Sequence, residues 1–284
     1  MRNSQRRLLS QNFLLSRSLV TKLVRLTSIE KKDTVLEIGA GKGIITSVLL
    51  DRARTVIAYE IDQNLYNYLD QVFRQTQNLI LKNIDFRNST LPSQSYKIFS
   101  NIPFIITADV IKKITQANNP PEEAFLIVQK EAALKFLGTP YDNKNSQLAI
   151  QLKPFFELNI LYKFEKSDFY PRPHVDSVLL HIKRKERPLI ALAYRQEFDR
   201  FVIYLFNQTN PNIATGVKKL INTPVDVTLY VKPSELRINE WLNLFGAYMH
   251  NPRYGAKKKV LNFYEKYRAN RNKLQKSHRT RKAH

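Results

Sequence analysis

Asn101-Ile102-Pro103-Phe104 places a side-chain amide, a main-chain carbonyl, a stiffened turn and an aromatic face in four consecutive residues. Alkyl transfer to an aromatic amine is difficult because the nitrogen lone pair is delocalised into the ring. The Asn101 oxygen and the Ile102 carbonyl would accept the two amine protons and turn the lone pair toward a methyl donor. Pro103 locks its own φ and stiffens the turn. Phe104 offers a stacking face to a base that has left its helix or loop. Upstream, Gly39, Gly41 and Gly43 are three of the chain's seven glycines, in the run Glu37-Ile38-Gly39-Ala40-Gly41-Lys42-Gly43. Such a turn brings bare backbone against a nucleotide-like ligand at the mouth of an α/β sheet. The spacing GxGxG, with Ile44 next, misplaces the third glycine for a dinucleotide fingerprint. Glu37 would contact the loop backbone or a ligand amine. Glu60 would accept from ribose hydroxyls. Asp85 would accept from the exocyclic amine of a cofactor adenine, between apolar walls of Ile61 and Phe86. In this order the residues point to methyl transfer from S-adenosylmethionine to an adenine in a nucleic acid.

The elements that must position these residues alternate. Apolar strand patterns fall at Thr34–Ile38, Thr55–Tyr59, Leu79–Leu81, Tyr96–Phe99 and Ala124–Val128. Helical patterns fall at Ile44–Leu50, after a cap at Asp62, and at Ala108–Thr115. Repeated βα units with buried β-branched runs predict a parallel, doubly wound α/β sheet. All three acids then sit at strand C-terminal ends, where open α/β sheets bind ligands. Residues 149–183 are aromatic and strand-like, with the turn Tyr170-Pro171-Arg172-Pro173, and predict an antiparallel edge hairpin. After Arg187-Pro188 the pattern is helical. The expected division is a catalytic domain over 1–184 with a basic N-terminal arm, a small all-helical domain over 185–255, and a basic tail over 256–284. That tail is read either as a helical extension or as a mobile segment.

Composition narrows the partner. The chain has 284 residues, 46 Lys and Arg against 24 Asp and Glu, and a net charge of +22. Such a field favours polyanions, nucleic acid first. The charge gathers at the ends: residues 1–28 contain no acid, and Glu265 is the only acid in 251–284. Cysteine is absent, which excludes disulfides, thiolate metal sites and a cysteine nucleophile. His174, His181, His250, His278 and His284 show no metal-ligand spacing, so no metal is expected. No apolar run approaches the roughly 20 residues that span a membrane. The basic N-terminus lacks a signal-peptide core. A cytoplasmic protein is expected, without a membrane partner.

With those motifs in place, the chain resembles the rRNA adenine N6-methyltransferases, and the Erm family in particular. Arg6-Arg7-Leu8-Leu9-Ser10-Gln11-Asn12-Phe13-Leu14 is similar to the family's N-terminal motif. Phe169-Tyr170-Pro171-Arg172-Pro173-His174-Val175-Asp176-Ser177 is similar to its Phe-x-Pro-x-Pro-x-Val-x-Ser segment. The resemblance covers about residues 6–183. It implies a Rossmann-like fold in which Gln11, Asn12, Leu14, Gly39, Gly41, Glu60, Ile61, Asp85, Phe86 and Asn101 hold S-adenosylmethionine. Asn101, Ile102, Pro103 and Phe104 would hold the target adenine, with Phe169 on its other face. Arg6, Arg7, Arg172, Lys257, Lys258 and Lys259 would grip RNA phosphates. Position 104 is more often Tyr and position 174 more often Lys in the family. The resemblance further implies a monomer acting on 23S rRNA and conferring resistance to macrolides, lincosamides and B-type streptogramins. Two readings compete. One is a small-subunit (16S) rRNA dimethyladenosine transferase. The other is a non-catalytic RNA-binding assembly factor on the same fold.

Overall fold

The structure, a computed structural model, describes residues 12–140, 145–209, 212–222 and 230–280, the last ten as backbone only. The chain divides into two compact units, residues 1–134 with 156–186, and residues 135–155 with 187–284.

The first unit is built on strands β1 (Phe13–Leu14), β2 (Thr34–Ile38), β3 (Thr55–Tyr59), β4 (Leu79–Lys82), β5 (Lys97–Asn101), β6 (Glu123–Gln129), β7 (Phe156–Lys163), β8 (Phe169–Tyr170) and β9 (Ser177–Arg184). Seven of them form one sheet in the order β4-β3-β2-β5-β6-β9-β7. The pairs from β4 to β6 are parallel. Strands β9 and β7 close one edge as an antiparallel pair, with an irregularity between Ile160 and Tyr162. Helices α1 (Arg17–Arg25), α2 (Ile44–Leu50), α3 (Gln63–Val72) and α4 (Thr107–Thr115) belong to the same unit. Val35, Leu36, Val56, Ile98, Phe99 and the run Ala124–Val128 are all buried. Near-continuous apolar strands of this kind belong to a sheet covered on both faces. The α/β expectation is met, and its strand positions hold to within two residues.

The chain runs outward from β2 to β4, then returns to lay β5 on the other side of β2. That reversal is the switch point of the sheet, where neighbouring connections part and leave a crevice. The β2–β5 ladder pairs Val35 with Lys97 and Leu36 with Ile98. Past it, the buried Ser100 hydroxyl bridges the two strands. It donates to the Ile38 carbonyl at 2.6 Å and accepts from the Ile38 N–H at 3.1 Å. A side chain thus supplies the cross-strand link where the backbones separate.

Helix α5 (Lys130–Leu137) follows β6. The second unit contains α6 (Gln147–Leu152), α7 (Arg195–Phe206), α8 (Ile213–Lys218), α9 (Ile238–His250) and α10 (Ala256–Thr280). Its core is aromatic. The Phe201 ring stacks on Tyr248 at 4.9 Å and meets Trp241 and Phe245. Helix α10 seats Val260 in the interior and sets Phe263 against Tyr204 at 5.3 Å. Of the two readings offered for residues 256–284, the structure gives a helix through Thr280.

Two sequence expectations are corrected. Helix α6 runs into the stretch read as strand-like and ends inside it. Ser146 Oγ caps it by accepting from Ala149 N, and Leu148 to Leu152 are all buried. A helix buried all round has no polar face, so no 3.6-residue period marks it. The other correction concerns the extent of the first unit, whose division after Glu186 lies close to the expected one at 184/185. Residues 135–155 group with the helical unit, because α6 packs on α7.

Candidate functional site

The crevice at the switch point is lined by Asn12, Phe13, Gly39, Gly41, Asn101, Ile102, Pro103 and Phe104. Residues far apart in sequence meet here: Asn12 and Phe13 lie at the start of β1, and the others lie at or past the ends of β2 and β5. Gly39 follows β2 and Asn101 ends β5.

The glycine loop is held from below. The N–H groups of Gly39 and Ala40 donate to the Tyr59 carbonyl at 2.8 and 3.1 Å. Gly41 N donates to Glu60 Oε2 at 2.8 Å, and Asp62 N donates to Glu60 Oε1 at 2.9 Å. Glu60 is 1 % exposed. One amide per carboxylate oxygen leaves acceptor capacity on each, which suits a ribose diol. Two of the glycines serve different ends. At Gly39, φ +75°, an added Cβ would meet only Pro103 Cδ at 3.9 Å, so its space is open toward the crevice. At Gly43, φ +80°, a Cβ would come within 2.8 Å of Leu69 and Phe73, so packing against α3 demands glycine there.

Glu37 departs from its expected role. Its carboxylate is buried and accepts from Thr46 Oγ1 at 2.6 Å, with Oε1 left without a partner. Burial pushes its pKa up to about 8, opposed by the Thr46 hydrogen bond and reinforced by the charge of Glu60. It reaches neither the loop backbone nor the crevice lining.

Asn101 is fixed in orientation. Its Nδ2 donates to the Asn12 carbonyl at 2.7 Å, which leaves Oδ1 as the acceptor end. Ile102 is buried, and its N–H donates to the Ile127 carbonyl at 3.1 Å. Pro103 holds φ −53° before the short turn Phe104–Ile106, and Phe104 is half-buried. Amide, turn and ring therefore converge on one crevice, as their spacing implied.

Asp85 lies beyond β4 and caps the short turn Phe86–Asn88, with Oδ1 accepting from Arg87 N at 2.9 Å. Phe86 is buried edge-on against Tyr59 at 5.2 Å. Ile61 is exposed beside Glu60.

Other expectations land elsewhere. Leu14 and Phe169 are core residues, at 5 % and 2 % exposure, and Phe169 packs on Phe164 at 5.2 Å. Neither lines the crevice. Their neighbours point to the opposite face, because side chains alternate along a strand. Phe13 lines the crevice and would meet a Cβ on Gly41 at 3.0 Å. Tyr170 stands directly opposite Phe13 across the β1–β8 pair, shares its face, and is 69 % exposed. Arg172 and Lys257, Lys258 and Lys259 are exposed. Arg6, Arg7 and Gln11 lie outside the described residues. Among the described residues no group of acidic or histidine side chains could hold a metal ion, and no helix is long and apolar enough to cross a membrane.

Phe13, Tyr170 and Ser100 were missed by sequence reasoning. Alternation within the Asn-Phe-Leu and Phe-Tyr pairs is the signal that could have found the first two. Glu60, Ile61, Asp85 and Phe86 are not among the residues that line the crevice. The open space at Gly39 and the acceptor capacity of Glu60 fit the chemistry of an adenosyl group with its ribose.

Residues 2–243 match the family described as ribosomal RNA adenine dimethylase. A ribosomal RNA small subunit methyltransferase A from Mycoplasmopsis pulmonis is 34% identical over 213 residues, 75% of this chain and 83% of that protein. An rRNA adenine N-6-methyltransferase from Bacteroides fragilis is 29% identical, over 84% of this chain and 92% of that protein. The crystal structure of the 23S rRNA methyltransferase ErmE superposes with a TM-score of 0.67 at 26% identity, covering 84% of this chain and all of that one. The Rossmann-like methyltransferase fold holds across that comparison. The chain belongs to the ribosomal RNA adenine dimethylase family and is an rRNA adenine methyltransferase that uses S-adenosylmethionine.

Proposed function

We propose that this chain methylates the exocyclic N6 amine of one adenine in 23S rRNA and so confers macrolide, lincosamide and streptogramin B resistance. The observation that carries the chemistry is the locked Asn101 amide. With Nδ2 committed to the Asn12 carbonyl at 2.7 Å, Oδ1 is presented as an acceptor without a rotamer search. Oδ1 and the Ile102 carbonyl take the two amine protons, and the nitrogen lone pair turns out of conjugation. Phe104 supports one face of the base. Tyr170 and Phe13 lie on a common face nearby and support the adenine or its neighbour. When bound, S-adenosylmethionine supplies an electrophilic methyl group on a sulfonium. Asn12, Gly39, Gly41, Glu60, Ile61, Asp85 and Phe86 orient it, and Gln11 completes the set by resemblance. Orientation and electrostatic aim supply most of the rate. Arg6, Arg7, Arg172 and Lys257 to Lys259 hold RNA phosphates.

The choice of 23S rRNA rests on Ser10 before Gln11-Asn12-Phe13, on the preceding arginines and on the long basic α10. The likeness to ErmE over 84% of this chain supports it. The names of relatives such as the Mycoplasmopsis pulmonis protein favour a second reading, an adenine in small-subunit rRNA. The test offers labelled S-adenosylmethionine with protein-free 23S or 16S rRNA and maps the modified base. Label at one 23S adenine, with raised macrolide tolerance in a susceptible host, supports the first reading and shows whether one methyl or two are added. Label in 16S rRNA alone establishes the second.

A further inference from the structure

Arg87 takes no part in the reading above, yet it grips the acid assigned to the cofactor adenine. Its Nε lies 3.1 Å from both oxygens of Asp85, and Nη2 lies 2.6 Å from Oδ2. The fork meets the carboxylate edge-on, in the bidentate geometry that fixes direction as well as charge. Helix α4 closes the arrangement from its side. Lys113 Nζ donates to the carbonyls of Arg87, at 3.0 Å, and Ser89, and it stands 5.2 Å over the Phe86 ring. Asp109 Oδ2 lies 3.9 Å from Arg87 Nη1.

We infer that Arg87 is a positioning residue for cofactor specificity: it holds the Asp85 carboxylate in one rotamer, so that the acid discriminates purines bearing a 6-amino group. This rests on the assignment of Asp85 to the cofactor adenine. The Arg87 side chain is 34% exposed. An ion pair that open to water contributes little to fold stability. Its bidentate geometry beside a ligand site matters more for orientation, because a side chain already ordered loses less freedom when the ligand arrives. A carboxylate accepts from a 6-amino group, whereas a purine with hydrogen at that position offers it nothing.

Calorimetry on the full chain would measure binding of S-adenosylhomocysteine and of its analogue with hydrogen in place of the 6-amino group. The ratio of the two constants is the readout. Wild type should prefer the amine, and Asp85→Asn should erase most of that preference. Arg87→Ala should lower the preference about tenfold by weakening the adenosyl ligand alone. Arg87→Lys, which keeps the charge but loses the fork, should fall between. Equal weakening of both ligands in Arg87→Ala, or an unchanged ratio while Asp85→Asn erases it, overturns the inference alone. An unchanged ratio in Asp85→Asn overturns the adenine assignment and this inference with it. Arg87→Lys gives the same decision should the alanine variant fold poorly.

Discussion

The two ends of the parallel strands use similar side chains to different extents. At the N-terminal ends, Lys97 Nζ binds Asp33 at 2.9 Å and the Ser28 carbonyl at 2.6 Å. Ser28 Oγ donates to Glu123 Oε1 at 2.6 Å, and His181 holds Glu123 Oε2 at 2.6 Å and Asn159 Oδ1 at 3.1 Å. The His181 ring stacks on Phe125 at 4.6 Å. Every member of this chain of contacts is closed by its neighbours. At the C-terminal ends, Glu60 keeps acceptor capacity, Asn101 presents Oδ1, and Glu37 Oε1 has no partner. A satisfied buried network rigidifies a fold, whereas unused polar capacity is a cost that a ligand can relieve. The closed end reads as scaffold and the open end as the place of chemistry.

The largest effect should come from Asn101→Ala. Removing an aimed acceptor at the reacting centre costs about 10²- to 10³-fold in rate. Methylation should fall by that much while RNA affinity, measured by filter binding, changes little. A variant that binds RNA and methylates normally would return the site assignment to the beginning. Retained binding without methylation also separates the enzyme from a purely binding assembly factor.

The two glutamates sharpen the comparison through pH. Burial holds Glu37 near a pKa of about 8, above its ordinary 4.5. The folded state keeps a proton that the unfolded chain has released, so stability falls as pH rises between those values. The slope is about 1.4 kcal/mol per pH unit across that window. Glu37→Gln removes it, and the variant should gain over wild type in urea unfolding from pH 5 to 8, then run parallel.

Glu123 has the opposite sign. Burial alone would raise its pKa, but hydrogen bonds from Ser28 and His181 and the charges of His181 and Lys97 outweigh it and lower the pKa. Its contribution is present above the unfolded value and is lost as pH falls through the lowered folded one. Glu123→Ala should cost roughly 2 kcal/mol at neutral pH, by leaving His181 and Ser28 without their acceptor. Activity per folded molecule should not change. A loss of methylation beyond the unfolded fraction would mean that the closed end is not merely scaffold.

Much of the open end was legible because its signals are local. Glycines within five residues, acids after apolar runs and the Asn101–Phe104 turn carry their meaning in sequence order. The β2 and β3 strands fall where apolar alternation puts them. What was illegible depends on pairing across long separations. The Asn101–Asn12 hydrogen bond spans 89 positions, and the Ser100 bridge spans 62. No local period encodes either. The burial of Leu14 and Phe169 was illegible for the same reason. Which of two adjacent side chains is buried is set by the β1–β8 register, and a two-residue strand is too short to show alternation.

That one-residue ambiguity yields the most discriminating prediction. Phe169 is core and Tyr170 is exposed, so the two substitutions should fail differently. Phe169→Ala should open a cavity against Phe164 and lower the melting temperature, at about 3 kcal/mol for a buried aromatic. Tyr170→Ala should leave the melting temperature unchanged and weaken binding to an RNA fragment carrying the target adenine several-fold, within the ~1–3 kcal/mol of a base–aromatic stack. Tyr170→Phe keeps the ring and should bind as wild type does. If Phe169→Ala instead kept its stability and lost RNA binding, the buried Phe169 would have to turn outward on RNA engagement. The β1–β8 pair would then be a moving part of the open end.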